Sequence, residues 1–172
     1  MVQCLLKLLI GQGVNLQTNT PVTKVSSSKD QAGRWNVETP RGIISASKIV
    51  FATNGYTPQV LPQYEGKIVP VRGVASHLVS PKGTKTPHLN NTYSLRFGPQ
   101  AYDYLIPRAD GSIVVGGARQ RFWQDKQSWF DNVNDDELVK ATTGYFDGYM
   151  QKYFRGWENS GAETERVWTG SK

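Results

Sequence analysis

The chain has 172 residues, of which 38% are hydrophobic and 17 are glycine, a balance that fits a soluble, strand-rich globular fold and excludes a disordered one. Its 20 basic and 14 acidic side chains leave a net charge of +6, but the lysines and arginines are scattered, which argues against a nucleic-acid partner. No apolar run approaches the roughly 18 residues that cross a bilayer, so no membrane association is expected.

The opening MVQCLLKLLI lacks the basic start and small-residue cleavage site of a signal peptide, and Lys7 interrupts its apolar run. It predicts the end of an amphipathic helix over 2–10, closed by Gly11 or Gly13. Cys4, the single cysteine, excludes an internal disulfide, suits a reducing, cytoplasmic setting and reads as a buried structural thiol. VNLQTNTPVTKV then alternates as one strand or two short ones, and SSSKDQAG is a turn. RWNVET (34–39), PRG (40–42) and IISAS (43–47) continue as an antiparallel meander.

Within KIVFATNGYT (48–57), Ile49, Val50 and Phe51 read as a strand buried on both faces that runs into Ala52, Thr53, Asn54 and Gly55. Two readings stay open on position alone. Asn-Gly suits an ordinary turn, while a tip of small residues beyond the carboxyl end of a strand also suits a ligand approaching the main chain.

TPQVLPQYEG (57–66) reads as a linker, KIVPVRGVASHLVS (67–80) as a strand pair or one long bent strand, and PKGTKTPHLNN as a loop. YDYLIPRADGSIVVGG (102–117) is a hairpin with Asp110-Gly111 near its turn. NDDELVKATTGYFDGYMQKYF (134–154) predicts a helix opened by an Asn134/Glu137 capping box. Gly144 and Gly148 weaken that helix by about 1 kcal/mol each relative to Ala. GAETERVWTG (161–170) reads as a last strand. A helix without an approach and a strand without a continuation suggest a piece of a longer chain.

His77 and His88 have no Cys or acidic partners at metal-ligand spacing, so no zinc site is expected, and no Ser-His-Asp order or nucleophile elbow occurs. Asn90-Asn91-Thr92 matches a glycosylation acceptor but, without a secretory signal, reads as a chance tripeptide.

Four segments in order, VFATNGYTPQVLP, IVPVRG, YDYLIPRADGSIVVGG and ETERVWTG, resemble the middle of the FAD-dependent oxidoreductases related to D-amino-acid, sarcosine and glycine oxidases. Within that family the chain is most similar to the γ-glutamylputrescine oxidase type. The resemblance implies a mixed α/β (α+β) fold, truncated at both ends: part of a Rossmann-like FAD-binding domain of the glutathione-reductase type, with its β-meander, over 1–66. An antiparallel substrate-domain sheet and helix follow over 67–160, and a strand returning toward the FAD domain over 161–172. It further implies FAD as cofactor, met by the main chain of Val22 and by the turn Ala52, Thr53, Asn54 and Gly55. A small-molecule amine or amino acid would be oxidised by hydride transfer to the flavin, which carries the chemistry, so no catalytic acid or base is named.

Arg72, Tyr104 and Arg108 fall in segments that approach the active site in relatives, and each also admits a purely structural role. The family's carboxylate-binding arginine, shortly after a motif like Trp168-Thr169-Gly170, is matched here by Lys172, whose ammonium lacks the bidentate fork and weakens the argument for an amino-acid substrate. The family's glycine loop is missing: Gly11-Gln12-Gly13 trails a helix and has Leu16 where a third glycine is required. Two other readings remain, a non-enzymatic module binding a partner or single-stranded nucleic acid on a basic, aromatic-rich sheet, and a degenerate relative without activity.

Overall fold

The computed structural model describes residues 2–171, and the chain divides into two units, residues up to 53 with 59–63 and residues 54–58 with 64 onward. The fold is mixed α/β with two antiparallel sheets.

The first unit opens with helix α1 (Val2–Gly11). None of its residues is buried, and Val2, Leu5 and Leu8 are all more than half exposed. Cys4 is exposed as well, which corrects the expectation of a buried thiol. A three-stranded antiparallel meander follows in the order β1 (Lys24–Val25), β2 (Trp35–Thr39), β3 (Gly42–Ala46). Turn chemistry sets its register. Pro40 and Arg41 sit between the paired Thr39 and Gly42, Thr39 Oγ1 donates to the Gly42 carbonyl at 2.8 Å, and Gly42 takes φ 127°, which favours glycine.

Two expectations in this unit are corrected. Of the alternating stretch 14–25, only Lys24–Val25 pairs. Residues 48–52 form no strand: they have no ladder partner among the described residues, and Val50 is 89% exposed. An apolar run becomes a buried strand only when neighbouring strands take up its amides and carbonyls.

The second unit is built on a five-stranded antiparallel sheet ordered β5-β6-β7-β4-β8. The strands are β4 (Arg72–Val79), β5 (Tyr93–Arg96), β6 (Tyr102–Pro107), β7 (Ile113–Gly116) and β8 (Glu163–Ser171). The β6–β7 hairpin closes as its sequence requires: Asp110 Oδ1 accepts the Ser112 amide at 3.0 Å and Gly111 has φ 83°. Central strand β4 pairs with both β7 and β8.

One face of this sheet, carrying Val74, Leu78, Leu105, Ile113 and Val115, is covered by the excursion between β7 and β8, which contributes Phe122, Trp129, Phe146, Tyr149, Met150 and Trp157. The residues 57–66 expected to be a linker include two short helical turns, α2 (Thr57–Val60) and a 3₁₀ turn at Pro62–Tyr64. The excursion contains α3 (Arg119–Phe122) and α4 (Tyr149–Tyr153). The helix expected over 134–154 is therefore present only in its last turn and a half. Gly144 (φ 71°) and Gly148 (φ 66°) adopt left-handed conformations that break helical propagation, and Leu138, expected on the apolar face, is exposed.

A fully buried carboxylate joins the two layers. Asp103 on β6 has no exposed surface. Its Oδ1 accepts the Ala118 amide at 2.8 Å, and its Oδ2 accepts the hydroxyls of Tyr145 at 2.7 Å and Tyr149 at 2.8 Å. Gln120 in turn donates to the Tyr145 hydroxyl.

Asp103→Ala strands these donors in the core and should destabilise the fold by roughly 2–4 kcal/mol, measured by denaturant unfolding. Burial first, and then the bond to Asp103, pushes the Tyr145 and Tyr149 hydroxyls well above their ordinary 10.0. Their contribution is complete below that value and is lost as pH rises beyond it, because the unfolded chain releases its protons first. Melting curves should show stability falling above about pH 10, and less steeply in Tyr149→Phe.

Candidate functional site

In the first unit a cavity of about 440 Å³ lies beside the unpaired segment, lined by Ile49 and Phe51 together with Val25, Ser26, Trp35 and Leu61. Ala52 and Thr53, at the end of that segment, are exposed, as is Val22 in the coil before β1. Asn54 is exposed with φ 45° and opens a 3₁₀ turn, its carbonyl accepting the Thr57 hydroxyl at 2.6 Å. Gly55 is buried.

FAD requires main chain bordered by small side chains, plus a seat for its pyrophosphate. Ala52 and Thr53, small and exposed, suit the first requirement, whereas Gly55 is buried. Gly11 and Gly13 come after α1, so they provide no amide cradle at a helix start.

In the second unit a cleft of about 250 Å³ opens at the end of the sheet where β4 and β6 begin and β7 ends. Arg72, Tyr104, Arg119 and Trp129 line it, so two of the residues singled out from the sequence share one cleft. Arg108 is elsewhere, exposed beside the hairpin turn, 3.6 Å from Asp110. Lys172 lies outside the described residues.

Arg72 is 5% exposed. Its guanidinium donates to the carbonyls of Ser128 (3.1 Å) and Glu137 and to Thr169 Oγ1 (3.1 Å), which ties the excursion to β4 and β8. Its Nε is buried without a hydrogen-bond partner. Tyr104 crosses from the sheet face opposite the core and lies on Gly116, its cross-strand partner; a Cβ there would overlap the ring. Partial burial, then the neighbouring Tyr102 and Asp103, raises the Tyr104 hydroxyl above its ordinary value, so it stays protonated and able to donate.

Sequence reasoning passed over Arg119 and Asp103. Gly117 (φ 133°) accepts no side chain, because a Cβ would collide with Asp103 and the Tyr102 carbonyl, and Ala118 follows in the left-handed region at φ 56°. This paired reversal, held by the Asp103 bond to the Ala118 amide, delivers Arg119 to the cleft. The doublet Gly116-Gly117 was the available signal: two glycines ending a strand mark a close approach of something to its backbone.

Among the described residues no three His, Cys, Asp or Glu side chains gather into a metal-sized cluster, and no helix is long and apolar enough to cross a membrane.

Comparison with known proteins adds the following. The profile of the family described as FAD dependent oxidoreductase (DAO) matches residues 1–171. A bifunctional protein ThiO/ThiG of Synechocystis sp. is 31% identical over 113 residues, which span 65% of this chain and 16% of that protein. A glycine oxidase from Geobacillus kaustophilus shares the fold with a TM-score of 0.60 at 15% identity, over 93% of this chain and 38% of that one. An L-proline dehydrogenase from P. horikoshii does so with a TM-score of 0.59 at 19% identity, over 94% and 40%. The chain thus spans well under half the length of each of these proteins.

Gly116→Ala should dislodge the Tyr104 ring while leaving the sheet folded. Tyrosine ring NMR signals and the melting temperature check this: a shifted Tyr104 resonance with a loss of about 1–3 kcal/mol is expected.

Proposed function

Because the chain belongs to the family of FAD-dependent oxidoreductases, we propose that it supplies one part of an enzyme that oxidises a C–N bond of a small amine or amino acid. The observation that carries this reading is the cleft at the sheet end, apolar along Phe122 and Trp129 and bearing a protonated tyrosine hydroxyl and arginine side chains, a lining that suits a small polar molecule. The glycine oxidase and the proline dehydrogenase named above act on amino acids by their own descriptions, which supports the substrate class.

When bound, FAD supplies a hydride acceptor for the amine carbon. The main chain of Val22 and of Ala52, Thr53 and Asn54 would border the dinucleotide. Tyr104 offers its hydroxyl as a donor to the substrate. Trp129 and Phe122 keep water from that side of the cleft, and Arg72 holds the excursion in place so that the cleft keeps its shape.

The exposed Val50 and the unpaired segment 48–52 support a further part of this proposal, that the segment becomes an inner strand of a larger sheet in the complete enzyme. A cytoplasmic enzyme with a small-molecule substrate and no nucleic-acid or membrane partner fits the single exposed thiol and the scattered charge.

The 172-residue chain, with no glycine-rich helix start among its described residues, should purify without a stoichiometric flavin absorbance band. The enzyme containing it should hold FAD and, mixed anaerobically with a panel of amino acids and aliphatic amines, lose its flavin band with at least one of them. A flavoprotein that no amine reduces would contradict the proposed reaction.

A further inference from the structure

We propose that the open edge of β8 is a pairing surface for a second copy of this chain, joined antiparallel so that two five-stranded sheets become one. β8 closes one side of its sheet, pairing with β4 alone, and runs for nine residues against the four of β5 at the other edge. An edge strand presents a row of unpaired amides and carbonyls, and proteins blunt such edges by keeping them short, charged, bulged or interrupted by proline. β5 is short; β8 is not.

The hydrogen bonds of β4 establish which β8 residues face outward. Arg72 donates its amide to the Trp129 carbonyl and the Val74 carbonyl accepts the Gly117 amide, so these alternate residues turn their main chain away from β8. Gly73, Ala75 and His77 therefore bond to their β8 partners Gly170, Trp168 and Arg166. The residues between, Val167, Thr169 and Ser171, direct N–H and C=O to the open side. Among the described residues no hydrogen bond reaches their main chain there. The usual guards are missing from this stretch. From Arg166 to Ser171 there is no proline and no acid, and the one charge, on Arg166, lies 5.5 Å from the centre of the Trp168 ring. The bulge comes earlier, at Glu165, whose carboxylate is held by His77 Nδ1 at 2.6 Å within its own sheet.

The side chains of β8 complement a second β8 in one register. A two-fold axis at Trp168 sets Val167 opposite Thr169 of the second copy, and Thr169 opposite its Val167, so that outward-facing main chain meets outward-facing main chain. Trp168 then meets Trp168 of the second copy as a non-hydrogen-bonded pair, the arrangement that brings side chains closest, on the face where its ring is 37% exposed. Arg166 falls opposite Gly170 and Glu165 opposite Ser171, so no like charges meet. An axis at Val167 would run the pairing through the bulge, and one at Thr169 would leave only 167–171 to pair.

This pairing is independent of the proposed oxidase function and is read without flavin. Sedimentation of the 172-residue chain over a concentration series should show a reversible monomer–dimer equilibrium. Val167→Pro removes an outward amide and no bond to β4, so the variant should fold and dimerise at least about tenfold more weakly. Trp168→Lys, which sets two ammonium groups face to face across the axis, should weaken the dimer similarly, and it decides should the proline variant not fold. Leu8→Lys, on the exposed apolar helix α1, should dimerise like the wild type. Circular dichroism separates lost pairing from lost folding in each variant. A chain monomeric at every concentration, a dimer that a folded Trp168→Lys variant leaves intact, or one that Leu8→Lys disperses overturns the proposal. Hydrogen exchange of the wild type reads the edge itself: the Val167 and Thr169 amides should be protected in the dimer and open in the monomer. Protection in the monomer would mean that the chain covers this edge with its own residues, and would overturn the proposal as well.

Discussion

The second unit depends on a carboxylate taken completely out of water, with no ion pair to it among the described residues. Burying polar oxygens without partners costs several kcal/mol, and Asp103 offsets that cost with three donors: the Ala118 amide just past β7 and the hydroxyls of Tyr145 and Tyr149 in the excursion that covers the sheet. Each bond sits in a low dielectric, where it is stronger than its counterpart at the surface. Apolar contact between a sheet and its cover resists separation but tolerates sliding; hydrogen bonds such as these, and those of Arg72 to the Ser128 and Glu137 carbonyls, do not. The Asp103 bonds fix one register of cover on sheet.

The cleft follows from that constraint. Because Asp103 captures the Ala118 amide, the chain leaving β7 must turn through two positive-φ residues, Gly117 and Ala118, before α3 begins. The turn brings Arg119 and its tryptophan shelf to the sheet end. On the other face of β6, the residues flanking Asp103 are Tyr102 and Tyr104, and the missing side chain of Gly116 lets the Tyr104 ring settle across the neighbouring strand. Arg72 completes the wall from β4 by clamping the carbonyls of Ser128 and Glu137. Alternation along one short strand thus assigns its acid to the core and its phenols to the site.

Local chemistry made much of the architecture legible. The β2–β3 and β6–β7 hairpins announce themselves through Pro-Arg-Gly and Asp-Gly at their turns, and the last strand through its bounded alternation, because each signal acts within a few residues. The apolar spacing of 134–154 misled for a related reason. Tyr145, Tyr149 and their neighbours face the sheet from turns as well as from helix, so burial recurs at near-helical intervals without a helix between Gly144 and Gly148. Ile49 to Phe51 read as a core strand from composition, but strandhood requires partners that a local run cannot supply. Of the cleft lining, Arg72 and Tyr104 stood out through a family resemblance, whereas Asp103 behind it did not. A lone acid in an alternating strand normally faces water, and the tyrosines that satisfy it lie 42 and 46 residues away.

If the sheet end of the second unit is the substrate wall proposed above, its geometry is held by Asp103 through the Ala118 amide and the Tyr145 and Tyr149 hydroxyls. A crystal structure of the complete flavoprotein, soaked with an aliphatic amino carboxylate that reduces its flavin, tests this directly. Ligand density in the cleft lined by Arg72, Tyr104 and Trp129, with the Asp103–Ala118 bond intact, is the expected result. A ligand bound away from this cleft would contradict it.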